Sequence, residues 1–245
     1  MKPEQAVRRA LVTGGSGGIG SAICRRLAAD GHHAIVHANG GLERAEALAA
    51  QIIAEGGSAE AVAFDITDRA ATAAALEGLL EAGAIQILVN NAGIHDDAVF
   101  PGMRGVQWDR VVDVSLNGFF NVTQPLTLPM LRTRWGRIIS ISSVAAVAGN
   151  RGQVNYSAAK GALHAATRSL ALELASRGVT VNAVAPGLIA TGMLGAKFDA
   201  DRVKAMVPMQ RLGQPHEVAD LVAFLTSDQA GYISGQVISI NGGMI

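Results

Sequence analysis

Tyr156 and Lys160 are separated by Ser157, Ala158 and Ala159, and Ser143 precedes them by a short interval in a chain that opens with Thr13-Gly14-Gly15-Ser16-Gly17-Gly18-Ile19-Gly20. Residues four apart on a helix project from the same face, so the Lys160 ammonium can sit near the Tyr156 phenol and favour its ionised form. An unperturbed phenol, with a pKa of about 10, gives up its proton reluctantly at neutral pH, and a fixed cation narrows that gap. A Tyr-x-x-x-Lys pair alone also describes many amphipathic helices, where a half-buried ring lies beside a solvated lysine. The pair gains chemical meaning from the glycine segment, the serine and the strand-end asparagines that accompany it in order.

The elements that must position these residues are readable from hydrophobic periodicity. Short β-branched runs alternate with Ala- and Leu-rich stretches, with strands expected at Ala10 to Thr13, Ala34 to His37, Ala61 to Phe64, Ile87 to Asn90, Arg137 to Ile141, Val179 to Val184 and Val237 to Ile240. Helices are expected at Ile19 to Asp30, Leu42 to Glu55, Asp68 to Leu80, Trp108 to Arg132, Asn155 to Arg177 and His216 to Ser227. This alternation predicts an α/β, Rossmann-type doubly wound fold: a seven-stranded parallel sheet flanked by helices on both faces. Gly31 and Gly178 stand where helix C-caps belong, and Pro125 and Pro129 are expected to kink the fourth helix. Right-handed crossovers bring the strand C-termini to one edge, where the ligand crevice of such a sheet forms.

Composition excludes several functions. The chain has 245 residues, of which 49% are apolar and 16% charged, with no linker, repeat or low-complexity block, so one domain spanning 1–245 is expected. Twenty basic and twenty acidic residues cancel, which argues against a nucleic-acid surface. Cys24 is the only cysteine, which rules out an intrachain disulfide and a cysteine-based metal site. His95-Asp96-Asp97 are adjacent on a loop and do not converge on one ion, so no metal is expected and the trio is read as active-site rim. The N-terminal residues hold no apolar signal core, and no run approaches the ~18 apolar residues of a membrane span. A cytoplasmic protein without membrane insertion is the expectation.

Gly14 to Gly20 follow an expected strand and open an expected helix, the context in which a glycine-rich segment cradles a pyrophosphate against free helix N–H groups. Gly14, Gly17, Gly18 and Gly20 are the candidate glycines. Asn90-Asn91-Ala92-Gly93 ends the fourth strand, where the amides either bridge neighbouring strands or hold a cofactor. Asp65 closes the third strand and either accepts from an adenine amine or caps the next helix, for which Asp68 is better placed. A dinucleotide site for NAD usually carries an acid after the second strand. Here the segment reads His37-Ala38-Asn39-Gly40-Gly41 without one, which favours NADPH/NADP, with Asn39 and either His37 or Arg44 near the 2′-phosphate and NADH as the alternative.

Taken together, these motifs resemble the short-chain dehydrogenase/reductase family across essentially the whole chain. The resemblance rests on Thr-Gly-x-x-x-Gly-x-Gly at 13–20, Asn-Asn-Ala-Gly at 90–93, Asn117, Ser143, Tyr-x-x-x-Lys at 156–160 and Pro186-Gly187. Within the family, the stretches from Gly149 to Tyr156, from Ala175 to Asn182 and from Tyr232 to Met244 resemble 3-oxoacyl-[acyl-carrier-protein] reductases. The resemblance implies that Tyr156 protonates a carbonyl oxygen, Ser143 hydrogen-bonds it, Lys160 lowers the tyrosine pKa and contacts the nicotinamide ribose, and Asn117 holds a water leading to solvent. Ser142 is a rival to Ser143 with a poorer spacing. Further cofactor contacts implied are Ser16, Ile19, Ile66, Asn91, Ala92, Gly93, Ile189 and Thr191, with Pro186 and Gly187, and a substrate loop at about 187–210 whose lid runs from Leu188 to Val207.

The implied function is NADPH-dependent reduction of a 3-oxoacyl thioester on acyl carrier protein, in fatty-acid, polyene or polyketide synthesis. A secondary-alcohol, sugar or steroid dehydrogenase is the alternative, and a non-catalytic nucleotide sensor a third. Arg134 and Arg177 match positions that dock the acidic carrier in the resembling reductases, and a homotetramer is implied. One departure is Gly17, where NADPH-dependent members often carry arginine.

Overall fold

The computed structural model describes residues 7–192 and 200–245. Its strands are β1 (Arg9–Val12), β2 (His33–Ala38), β3 (Ser58–Ala63), β4 (Ile85–Asn90), β5 (Gly136–Ile141), β6 (Val179–Pro186) and β7 (Val237–Ile240). They form one parallel sheet in the order β3-β2-β1-β4-β5-β6-β7. The chain runs outward from β1 through β3, then crosses back to β4 and continues the other way. The loops leaving β1 and β4 therefore part company, and a crevice opens between them.

Nine α-helices are present among the described residues: α1 (Gly18–Ala29), α2 (Leu42–Ala54), α3 (Arg69–Glu81), α4 (Gly105–Val112), α5 (Gly118–Thr133), α6 (Ala145–Ala148), α7 (Val154–Leu174), α8 (Ala200–Met206) and α9 (Pro215–Thr226). Alternate strand residues feed two cores. Val12, Val36, Val89 and Ile139 pack with Ile23, Leu27, Leu48 and Val222 beneath α1, α2 and α9. Leu11, Ile35, Leu88 and Ile138 pack with Leu76, Val122, Leu126 and Met130 beneath α3, α5 and α7. Burial on both faces explains why these strands read as continuous apolar runs.

The helix expected from Trp108 to Arg132 is not one α-helix. It begins at Gly105 and is split by a π-helical turn, Asp113–Asn117, between α4 and α5. The departure from α geometry lies upstream of Pro125 and Pro129, which both sit within the continuous α5. Each proline removes a single donor, and the buried Leu126 and Met130 hold the helix against the sheet. The helix expected to reach Arg177 ends in a 3₁₀ turn, Ala175–Arg177, closed by Gly178 at φ 74°. Asp68 caps α3 by accepting from the N–H groups of Ala70 and Ala71. By contrast, Gly17 heads α1 without a side-chain acceptor, leaving the first-turn N–H groups for a ligand.

Cys24 is fully buried on α1 directly behind the glycine turn, its Sγ 3.9 Å from the Gly15 carbonyl oxygen. Burial pushes its thiol up to about 12.

Candidate active site

The turn after β1 is held from two sides. From the β4 end, Asn91 donates through Nδ2 to the carbonyls of Thr13 and Gly14, at 2.9 and 3.1 Å. The Thr13 hydroxyl accepts from the N–H groups of Asn91 and Ala92, each at 3.0 Å. Of the alternatives left open for the strand-end amides, both Asn90 and Asn91 bridge elements, since Asn90 donates to Thr123 on α5 at 2.9 Å. Gly14 has φ 62°, and a Cβ on Gly20 would lie 2.3 Å from the Gly14 carbonyl oxygen, so only glycine fits there.

From the β2 end, the N–H of Gly14 donates to His37 Nδ1 at 3.1 Å, and His37 Nε2 pairs with the Phe64 carbonyl at 2.9 Å. His37 is therefore enclosed between strands and does not reach outward to a 2′-phosphate, correcting one of the two residues suggested for that task. Asn39 and Arg44 are exposed and line the wall at this end.

The turn forms one end of a cleft of about 920 Å³ along the carboxyl edge of the sheet. Ser16 to Gly20, Asn91 to Gly93, Pro186, Gly187, Ile189 and Thr191 line it, and Ser143, Tyr156 and Lys160 stand in the same cleft. Lys160 is buried and donates from Nζ to the carbonyl of Ile141 at 2.9 Å. A Cβ on Gly93 would lie 2.9 Å from that Nζ, so the missing side chain makes room for the ammonium. Burial lowers Lys160 to about 8.

The expected lowering of the tyrosine pKa is not found. Burial pushes the Tyr156 phenol above its ordinary value, with the Ser143 hydroxyl acting in the opposite direction and the Asp97 carboxylate reinforcing the rise. Lys160 Nζ lies 5.9 Å from the ring centroid, and desolvation dominates. The phenol therefore keeps its proton throughout the neutral range, the state a proton donor needs.

Ser142, the rival serine, is buried and turned toward α7, 2.6 Å from His164 Nε2 and 3.2 Å from the Lys160 carbonyl oxygen. Both serines line the cleft, and Ser143 is the less buried of the two; its Oγ accepts from the N–H of Ala145 at 3.1 Å. Spacing did not single out Asn155, which is fully buried. Its Oδ1 accepts from the Tyr156 N–H at 2.8 Å, while Nδ2 donates to the carbonyls of Asp96 and Gln107, each at 3.0 Å. That carboxamide ties the loop after β4 and helix α4 to the first turn of α7. The sequence signal for it was an asparagine directly before the tyrosine at a helix start.

Three expected site residues are placed elsewhere. Asn117 is exposed, its Nδ2 donating to Asp113 at 2.6 Å, because the π turn directs it outward; the inward residue of that turn is Ser115, whose buried hydroxyl has no hydrogen-bond partner. Asp65 is exposed and accepts from Thr67 N–H and Oγ1 at 2.9 and 2.8 Å, neither lining the cleft nor capping α3. Ile66 is buried against α5, where a Cβ on Gly118 would meet its Cδ1 at 2.6 Å. His95 and Asp97, 3.3 Å apart, line the cleft as rim. Arg134 and Arg177 are both exposed and near each other, the Arg134 carbonyl lying against Gly178. They stand at the amino ends of β5 and β6, about 20 Å along the strands from Ser143 at 3.3 Å per residue.

A nicotinamide dinucleotide fits these residues: the glycine turn lines the cleft, the first-turn N–H groups of α1 are uncapped, and the buried Lys160 ammonium stands in the same cleft with the Ile141 carbonyl as its hydrogen-bond acceptor. Fold and site together define an oxidoreductase dependent on such a cofactor. The model of the short chain dehydrogenase family matches residues 8–202, and the chain belongs to that family. It is 45% identical over 236 residues to 3-oxoacyl-[acyl-carrier-protein] reductase FabG of Aggregatibacter actinomycetemcomitans, covering 96% of this chain and 98% of the relative. It is 44% identical to the FabG of Staphylococcus aureus strain Mu50, over 97% and 98%. Over the same shares it is 43% identical to an acetoacetyl-CoA reductase of Cupriavidus necator. No helix of the described residues is long and apolar enough to cross a membrane.

Proposed function

We propose that this chain reduces the 3-oxo group of an acyl thioester, carried by acyl carrier protein in the cytoplasm, to the 3-hydroxyacyl form with NADPH. The observation that carries the reading is the meeting of Ser143, Tyr156 and Lys160 in the cleft that begins at the glycine turn. When bound, the cofactor supplies the hydride to the 3-carbon. Tyr156, protonated at neutral pH, gives its proton to the carbonyl oxygen, and the Ser143 hydroxyl donates a hydrogen bond to the same oxygen as charge develops there. Lys160 holds the ribose hydroxyls and stays cationic below about pH 8. Leu188, Met206 and Met244 also line the cleft and suit an acyl chain. Residues 193–199 of the expected lid lie outside the described residues.

NADPH is favoured because no acid follows β2 and because Arg44 lines the cleft beside Asn39 and Gly40. A guanidinium there suits a 2′-phosphate. Arg44→Ala is expected to raise the KM for NADPH about tenfold and to leave that for NADH unchanged; equal changes would remove Arg44 from phosphate recognition.

The carrier reading draws on the two FabG relatives, and the acetoacetyl-CoA reductase makes a coenzyme A thioester the second reading. Docking at Arg134 and Arg177 is tied to assembly, because the pair lies at the opposite end of the sheet from its own cleft, so a homotetramer would have to bring it to another copy's cleft. Phe120 and Leu128 on α5 and Leu172 on α7, exposed at 47%, 54% and 85%, suit helices that pair between copies. A panel of carrier-bound, coenzyme A-bound and free 3-oxoacyl substrates, followed by NADPH oxidation, tests the function. Carrier-bound substrate should give the highest kcat/KM, and Arg134→Glu with Arg177→Glu should raise its KM while sparing a small ketone. Turnover of secondary alcohols or sugars alone would move the chain to another branch of its family.

A further inference from the structure

His37 stands at a junction that the reaction itself does not use. The ring is 1% exposed, lies 4.3 Å from the Phe64 ring between centroids, and fills the space between the glycine turn, β2 and the end of β3. Its two nitrogens have unlike partners. The N–H of Gly14 faces Nδ1 at 3.1 Å, and a backbone N–H can only donate, so Nδ1 is the acceptor and carries no proton. The carbonyl of Phe64 faces Nε2 at 2.9 Å and can only accept, so Nε2 carries the hydrogen. One tautomer of the neutral ring satisfies both contacts, and the imidazolium cannot. Gly14 is the left-handed residue of the turn, and the neighbouring Gly15 N–H donates to the His37 carbonyl at 2.8 Å, so the turn is sewn to this one residue twice.

We infer that His37 is a positioning residue for the dinucleotide turn: its neutral ring clamps Gly14 to the end of β3, and protonation at Nδ1 releases that clamp and weakens cofactor binding. The charges around the ring leave it this role. The β1 turn has no titratable side chain, and behind Gly15 stands Cys24 as an uncharged thiol. Burial holds the ring below its ordinary pKa, outweighing the Phe64 carbonyl and, from the segment after β3, the Asp65 carboxylate, which both favour the imidazolium. The clamp is therefore closed at neutral pH and opens as the solution becomes acidic.

The inference rests on a dinucleotide occupying the glycine-rich cleft, and the test separates the two. Dissociation constants for NADP⁺ and NAD⁺ are measured by calorimetry on the full chain at about pH 7.5 and about pH 5.0, with NAD⁺ included because the 2′-phosphate titrates in that range itself. Wild type should lose about tenfold in affinity for NAD⁺ on acidification, the scale of one buried hydrogen bond broken. His37→Asn offers an uncharged acceptor on the Nδ1 side and should hold its affinity constant to within about twofold. Nitrogen-15 shifts of the wild-type ring, which need no variant, should report an unprotonated Nδ1 at neutral pH. A pH-insensitive wild type, an equal loss in His37→Asn, or a protonated Nδ1 at neutral pH would overturn the inference. Failure of wild type to bind either dinucleotide at neutral pH would instead overturn the cofactor reading.

Discussion

Tyr156→Phe should lower the turnover of a 3-oxoacyl substrate by about three orders of magnitude, within the range for loss of a positioned general acid. The substitution deletes one oxygen and keeps the ring, so packing at the head of α7 and the Asn155 contact to the Tyr156 N–H are preserved. Dinucleotide affinity should stay within about threefold of wild type, since the glycine turn is built from Thr13, Asn91 and His37 and not from the phenol. Steady-state NADPH oxidation and calorimetric binding on the same preparation measure the two. If the variant kept more than about a tenth of the wild-type rate, the acid role would pass from Tyr156 to another group.

Lys160→Met should abolish most activity and stabilise the fold. Holding this ammonium inside lowers its pKa from 10.5 to about 8, a cost of about 3 kcal/mol at 1.4 kcal/mol per unit. The Ile141 carbonyl, left without its donor, returns about 1 kcal/mol of that. A net gain of about 2 kcal/mol corresponds to a rise in Tm on the order of 5 °C for a chain of this size. The sign with pH follows from the lowered folded-state value. Below pH 8 the lysine is charged in both folded and unfolded chains, and the full penalty is present. Between about 8 and 10.5 the folded chain binds fewer protons than the unfolded one, so wild-type stability rises and the advantage of Lys160→Met shrinks. Wild-type turnover should fall over the same range as the ammonium is lost. A variant less stable than wild type at pH 7 would show that Lys160 is held by something other than function.

Burial on both faces wrote the sheet into the sequence as runs of Ala, Val, Ile and Leu, and strand and helix order could be read from them directly. The glycine turn and the Tyr156–Lys160 pair could be picked out by their spacing, whereas Ser143 was named through the family resemblance, and all of them line one cleft. Asn117 was not, since a π turn gives each residue a smaller rotation than an α-helix and so changes which side chain faces inward. The same turn buries Ser115, and no 3.6-residue pattern indicates that. The direction of the Tyr156 shift was misread because spacing places a cation nearby but says nothing of how much water is removed. His37 looked like a strand-end residue reaching for phosphate, whereas its role depends on a tertiary contact across β1 and β3.

Cys24 gives the architecture a consequence for life under oxidative stress. Oxidants attack the thiolate, and a thiol held near 12 offers almost none at cellular pH. The residue is also sealed behind Gly15, with no opening to solvent in the folded chain. A centre that handles reducing equivalents is thus built without a thiolate that peroxide could attack, and thiol oxidation gives no switch on its output.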